Sequence, residues 1–188
     1  YINLQSFSYL RLTRCPSEDK ITQDILSKAK PGDIIVLSSF STPRIATLDA
    51  ATDQTKLLNG LVTPEQIESR KQILERSIPT VKKLQDAGMK VVLAAPTPVY
   101  VTPPDRCIRW FNKMNPICES GFKEDKNFEA NLRAPVMQSY RALAKATGAT
   151  LWDPFPLLCP DEKYCYSEAN GRYLYVDQHH LSSNGNLL

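Results

Sequence analysis

Apolar stripes at helical spacing alternate along this chain with short runs that are apolar nearly throughout. From Ser17 to Lys30, Ile21, Ile25 and Leu26 fall on one helical face. Ser17 stands as an N-cap there, and Pro31-Gly32 as the stop. Asp33-Ile-Ile-Val-Leu-Ser38 then reads as a strand covered on both faces, since a half-exposed strand would alternate. Residues 42–62 read as a polar connection. Thr63-Pro64-Glu65-Gln66 opens a long helix with a capping threonine and proline at its first position. Its predicted buried stripe is Ile67, Ile73, Leu74, Ile78, Val81 and Leu84. Pro79 is expected to kink it, and Gly88 to end it.

A second buried strand is predicted over Met89–Pro96, followed by a proline-rich excursion over 97–122. A helix is expected over Asn127–Thr147 with Gly148 as its stop, and a short strand over Ala149–Pro154. Tyr173–Val176 reads as the last strand, and Tyr1–Thr13 is β-rich enough to hold another. Strands alternating with helices imply an α/β fold, a central parallel sheet with helices on both faces. Such sheets gather functional residues at the carboxyl ends of their strands. Ser38-Ser-Phe-Ser41 and Asp177–His180 both occupy such places in this reading.

Composition narrows the classes. A chain of 188 residues is most simply one domain. A net charge of +3 is too small and too dispersed to argue for nucleic acid as a partner. No apolar run reaches the length needed to span a bilayer. The chain starts without methionine and reads as a piece of something longer. Cys107 and Cys118 flank a short loop, and Cys159 and Cys165 bracket another. Close pairs in polar, proline-bearing loops point to two local disulfides in an oxidising compartment, Cys107–Cys118 and Cys159–Cys165. Neither pair has the two-to-four-residue spacing typical of structural zinc. Cys15 is left over, with a partner expected outside the chain.

The chemistry concentrates in Asp177-Gln-His-His180-Leu-Ser-Ser-Asn-Gly185. A carboxylate three residues before an imidazole can fix the ring's tautomer and stabilise the imidazolium formed when it takes a proton. Asp177 and His180 are therefore the candidate catalytic pair, two-thirds of a hydrolytic triad. His179 is expected on the other side of the loop, without a role. A zinc site on the two histidines would need further ligands, and adjacent histidines rarely converge. Ser182 reads as an N-cap after the loop. Trp110 and Phe111 are expected to plug their own disulfide loop, with a sugar-stacking platform as the alternative. Tyr164, Tyr166, Tyr173 and Tyr175 fit either an acceptor groove or sheet-edge packing. Arg133 reads as a solvated or paired side chain.

Asp177-x-x-His180-Leu-Ser-x-x-Gly185, Asp153-Pro-x-x-x-Leu-Cys159 with Cys165, the looped cysteine pair after Pro96, Arg14-Cys15-Pro16 and the Asp33-Ile-Ile-Val-Leu strand together resemble the SGNH (GDSL-like) hydrolases. More narrowly, they resemble the SGNH domain fused behind the membrane-embedded domain of bacterial type-3 acyltransferases, which O-acetylate surface sugars. The resemblance implies a three-layer α/β/α, flavodoxin-like fold over residues 1–188. It also implies a Ser-His-Asp triad in which His180 is the general base and Asp177 its partner. The family's Gly-Asp-Ser nucleophile turn occurs nowhere in the chain, so the serine, with the first strand and helix, is expected upstream of Tyr1. The family's asparagine-bearing oxyanion block would fall near Ser39-Phe-Ser41-Thr42, where there is no asparagine.

The activity implied by the resemblance is that of an O-acyltransferase, most simply an O-acetyltransferase, acting on a carbohydrate hydroxyl of surface polysaccharide. This domain would bind no cofactor. Acetyl-coenzyme A would be the ultimate donor, handled by a membrane-embedded acyltransferase domain of the same polypeptide, and the location would be periplasmic, tethered to the inner membrane. The competing readings are a binding or scaffolding domain that lost the chemistry, and a secreted carbohydrate esterase.

Overall fold

The computed structural model describes residues 17–38, 54–102, 104–112, 114–119 and 121–188. The strand expected within Tyr1–Thr13, Cys15 and the Ser39–Thr42 stretch lie outside the described residues. The chain divides into two compact units. As far as described, the first holds residues 17–38, 63–96 and 135–153, and the second 54–62, 97–134 and 154–188. None of the described helices is long and apolar enough to cross a membrane.

The first unit is built on a parallel three-stranded sheet of β1 (Ile34–Ser38), β2 (Lys90–Ala94) and β4 (Thr150–Trp152), in the order β1-β2-β4. Leu37 lies opposite Leu93, and Leu93 opposite Leu151, so one row of leucines crosses all three strands. Onto it pack Ile21, Ile25 and Leu26 of α1 (Glu18–Lys28) and Leu74, Ile78, Val81 and Leu84 of α3 (Pro64–Asp86). Val136, Tyr140 and Leu143 of α5 (Lys126–Thr147), one turn apart, complete this core. The result is the α/β architecture that the pattern predicts.

The helix boundaries follow from local chemistry. Ser17 Oγ accepts the Lys20 N–H at 3.3 Å, and Thr63 Oγ1 accepts that of Gln66 at 3.3 Å. Gly88 and Gly148 follow α3 and α5 at positive φ, 86° and 73°, where an L side chain would be strained. α3 runs unbroken through Pro79, while the hydroxyls of Ser77 and Thr80 donate to the Ile73 and Arg76 carbonyls. Two expectations are corrected. Ile67 is exposed rather than part of the buried stripe. Among the described residues β1 is an edge strand, and it alternates after all, with Leu37 buried and Ile34 and Val36 exposed.

The second unit contains α2 (Gln54–Leu61), α4 (Pro104–Cys107), α6 (Phe155–Leu158) and two small antiparallel sheets. β3 (Lys123–Asp125) pairs with β5 (Tyr164–Tyr166), and β6 (Glu168–Ala169) with β7 (Arg172–Tyr173). The α2 helix replaces the expected polar connection; its Leu58 and Leu61 pack with Val99, Phe128 and Leu132. β6 and β7 are joined by Asn170-Gly171 with φ of 53° and 72°, the turn conformation that suits a two-residue hairpin.

Disulfides join Cys107 to Cys118 and Cys159 to Cys165, with Cα atoms 5.5 and 4.6 Å apart. Each closes a short loop, contributing about 2–3 kcal/mol by restricting the unfolded chain. Cys159 and Cys165 are fully buried beside Tyr100, Phe155, Leu174 and Tyr175.

Candidate active site

Asp177 and His180 sit on a narrow hairpin in the second unit, not after a strand of the parallel sheet. The strand expected over Tyr173–Val176 stops at Tyr173, where β7 ends. Beyond it Tyr175 bridges only to Leu181. The Val176 N–H donates to the His180 carbonyl at 2.9 Å, and the Ser182 N–H to the Leu174 carbonyl at 2.8 Å. These bonds close the loop from both sides and leave five residues at its tip.

Within the tip, Asp177 acts through both carboxylate oxygens. Oδ1 accepts the backbone N–H groups of His179 and His180 at 2.9 and 2.8 Å. Oδ2 lies 2.5 Å from His180 Nδ1. The three-residue spacing thus produces the aspartate–imidazole bond it implied. The imidazole engages the carboxylate through Nδ1, so Nε2 is the nitrogen a base would use. The two side chains are each 39% exposed, accessible enough to meet a substrate. Partial burial raises the Asp177 pKa, but the two N–H bonds, the His180 ring and the charge of His179 outweigh it. They hold the carboxyl below its ordinary value.

His179 departs from expectation. Its ring lies against that of His180, centroids 4.1 Å apart, and its Nδ1 is 3.8 Å from Asp177 Oδ1. Both rings therefore face one carboxylate. Asp177, His179 and His180 each offer a ligand atom within 4.8 Å of one another, three donors where structural zinc has four.

The residues that hold the tip carry no signal of that role in the sequence. Residues 97–101, directly after the second parallel strand, grip it through backbone and side chain. The Tyr100 N–H donates to the Gln178 carbonyl at 2.8 Å, Gln178 Nε2 to the Val101 carbonyl at 3.0 Å, and Thr97 Oγ1 to the His179 carbonyl at 3.3 Å. Two buried carboxylates fix this segment in turn. Glu129 Oε2 accepts the Val99 N–H at 3.0 Å, and Glu124 Oε1 the Val101 N–H at 2.8 Å. The alternation is that of a strand whose second neighbour is a pair of side chains.

Beneath the tip, the rings of Tyr100 and Tyr175 meet edge to face at 4.7 Å, both fully buried. Burial pushes Glu129 up to about 8; the Val99 N–H and the Arg133 charge oppose this, and Glu124 adds to it. Arg133 lies over the Phe155 ring, 4.3 Å from its centroid. The four tyrosines with two possible roles divide. Tyr175 is core, Tyr173 meets Phe122, and Tyr164 meets Tyr166 under Lys123 and Lys163.

Ser182 caps the turn that leads into the short helix Gly185–Leu187, its carbonyl accepting the Asn186 N–H at 3.0 Å. Its Oγ donates to the Tyr173 carbonyl at 2.7 Å and accepts the N–H groups of Asn184 and Gly185 at 3.1 and 3.2 Å. A hydroxyl so committed is ill placed to serve as a nucleophile. Gly185 is required for a steric reason, since a Cβ there would collide with the Leu174 carbonyl, the acceptor of the Ser182 N–H. Gly185→Ala is expected to cost about 1–3 kcal/mol and to weaken the loop closure. Denaturant unfolding checks the cost, and faster amide hydrogen exchange at Ser182 checks the second effect.

A family model described as "SGNH domain (fused to AT3 domains)" matches residues 4–188. No curated protein matches the chain significantly. Among solved structures, the chain is similar to the periplasmic domain of a lipopolysaccharide acetyltransferase from Salmonella ser. Paratyphi A, at 13% identity and a TM-score of 0.53. The match covers 89% of this chain and 56% of that one, so the chain spans little more than half of its structural neighbour. At that identity the likeness is one of fold. The family match extends over nearly all residues, including the Asp177–Gly185 block, and the chain belongs to the SGNH domains that are fused to AT3 domains.

Proposed function

We propose that this chain carries the general base of an O-acyltransferase that places an acyl group, acetyl in the simplest case, on a carbohydrate hydroxyl of surface polysaccharide. The observation that carries this reading is the His180 Nδ1–Asp177 Oδ2 bond, with the same carboxylate anchored by two backbone N–H groups. Family membership and the acetyltransferase activity named for the structural neighbour support it. The two disulfides suit an extracytoplasmic site of action.

In the proposed reaction, a serine from a segment bearing the family's Gly-Asp-Ser turn loses its proton to His180 Nε2 as its oxygen bonds to the acyl carbon. The imidazolium returns that proton to the departing donor atom. A sugar hydroxyl then attacks the acyl-enzyme, giving its proton to the same nitrogen, and the serine is reprotonated as it leaves. Asp177, held ionised, stabilises the imidazolium in both halves. Water in place of the sugar would make the product a free acid.

The 188-residue chain by itself is expected to be inert toward a generic acetyl ester, and activity is expected in the polypeptide that also carries the nucleophile segment. Measuring ester hydrolysis by both forms tests this. Turnover by the chain alone that depends on one of its own serines, such as Ser39 or Ser41, would overturn the placement of the nucleophile.

A further inference from the structure

The loop closed by Cys107–Cys118 is braced by its own asparagines. Asn112 Nδ2 donates to the Arg106 carbonyl at 3.0 Å, and Asn115 Oδ1 accepts the Ile117 N–H at 3.1 Å. One atom of each amide thus bonds the loop's own backbone, while Asn115 stays exposed. Backbone bonds from Asn112 to Arg109, Asn115 to Asn112 and Cys118 to Asn115 complete the frame, and Thr102 Oγ1 ties the Ile117 carbonyl to the preceding segment.

Beside Arg109 and Asn115, the loop shows a cluster of large apolar side chains to solvent. Trp110 is 81% exposed, Phe111 59% and Met114 94%, with Ile108 beside them. This corrects the expectation that Trp110 and Phe111 fill the loop. Exposed large side chains in so short a closed segment mark an interaction surface.

The surroundings select the partner. Between the two cysteines the charged residues are Arg109 and Lys113, both cationic; the nearest acids, Asp105 and Glu119, lie outside the closure. A sugar platform needs aromatic faces offered side by side and polar groups to read hydroxyls. Here the Trp110 and Phe111 rings stand at 85° to each other, and each asparagine amide already makes one bond to the loop's backbone. Methionine and isoleucine flanking the aromatics, with cations between, match the composition of segments that seat at the headgroup boundary of a bilayer.

We propose that the Cys107–Cys118 loop is a lipid-contacting element, entering the headgroup region of an anionic membrane through Trp110, Phe111 and Met114, with the loop's two cationic residues, Arg109 and Lys113, adding electrostatic attraction. The element is separate from the Asp177–His180 chemistry, and the two readings can fail independently.

Co-sedimentation of the chain with phosphatidylcholine vesicles, with and without phosphatidylglycerol, tests it. Partitioning onto the anionic vesicles is expected, weakening as salt is raised. Trp110→Ala with Phe111→Ala should reduce it by roughly tenfold or more. Arg109→Gln and Lys113→Gln should each reduce it roughly fivefold. In a Trp152→Phe background, Trp110 emission should shift to shorter wavelength on binding. The exposed positions should leave the melting temperature unchanged, and the glutamine pair decides the matter if the aromatic pair does not fold. His180→Ala should bind vesicles normally. A wild-type chain left in the supernatant with both vesicles overturns the proposal, as does partitioning undiminished by these variants. Capture of a soluble polysaccharide that is lost in the aromatic pair, without vesicle binding, overturns it in favour of a sugar platform.

Discussion

Replacing His180 by alanine in the polypeptide that carries the nucleophile segment is expected to abolish acyl transfer while leaving the melting temperature close to wild type. The imidazole is substantially exposed, so removing it opens no core cavity, yet it is the group that moves every proton in the proposed reaction. Asp177→Asn should be nearly as damaging. The amide would present an N–H where the carboxylate accepts from Nδ1, favouring the tautomer with its proton on the reactive nitrogen. In a serine protease the equivalent exchange costs about 10,000-fold. With its nitrogen toward the ring, the amide keeps its oxygen for both backbone N–H groups, so the tip should hold its shape. His179→Ala should be mild. Transfer of labelled acyl groups to polysaccharide, measured alongside thermal unfolding, checks all three. Normal transfer by His180→Ala would leave a binding module in place of an enzyme.

The second large effect is expected at Glu129. Its folded pKa, raised to about 8 by burial, lies above that of an unfolded glutamate, so the folded state holds a proton the unfolded state has lost. Stability from this group is fully present below the unfolded value of about 4.3. It declines as pH rises, and is gone once pH has passed through about 8. The separation corresponds to a loss on the order of 5 kcal/mol across that window. Arg133 opposes the shift and Glu124 reinforces it, while the buried hydroxyls of Tyr100 and Tyr175 share the same polar cluster. Glu129→Gln keeps an acceptor for the Val99 N–H but cannot ionise, so it should flatten the pH dependence and exceed wild type in alkaline solution. Denaturant unfolding at about pH 5 and pH 9, on either side of the folded value, measures this. Parallel declines in the two proteins would contradict it. Because Val99 belongs to the segment that grips Gln178 and His179, transfer activity should fall on the same alkaline limb.

What can be read from the sequence is local. Ser17 and Thr63 cap helices, and Gly88 and Gly148 follow them, because those effects act within one turn. The apolar runs over 34–38 and 90–94 mark the two longest strands of the parallel sheet, although only the second is buried along most of its length. Asp177 and His180 are legible for the same reason, three residues being within reach of one hydrogen bond. The features that escape depend on residues distant along the chain. β3 and β5 have three residues each and are separated by the whole of α5, so neither carries its own signal. Glu124 and Glu129 look like surface residues until Val101 and Val99 present their N–H groups. The hairpin that carries the site looks like a sheet strand because Leu174 and Tyr175 are apolar. They face a separate core around the Cys159–Cys165 bridge. Trp110 and Phe111 mislead because aromatic burial is the common case, and nothing in the local sequence marks these two as exposed.

The double use of Asp177 has a kinetic consequence. Since one carboxylate both shapes the backbone at residues 179 and 180 and orients the ring, base geometry and loop conformation form a single degree of freedom. In the proposed reaction the imidazole would not have to search rotamers when substrate arrives, and its alignment would not wait on a nucleophile. An incoming segment would then have only one hydroxyl to deliver to a base already aimed. The entropic cost of assembling the reacting groups falls on the serine alone.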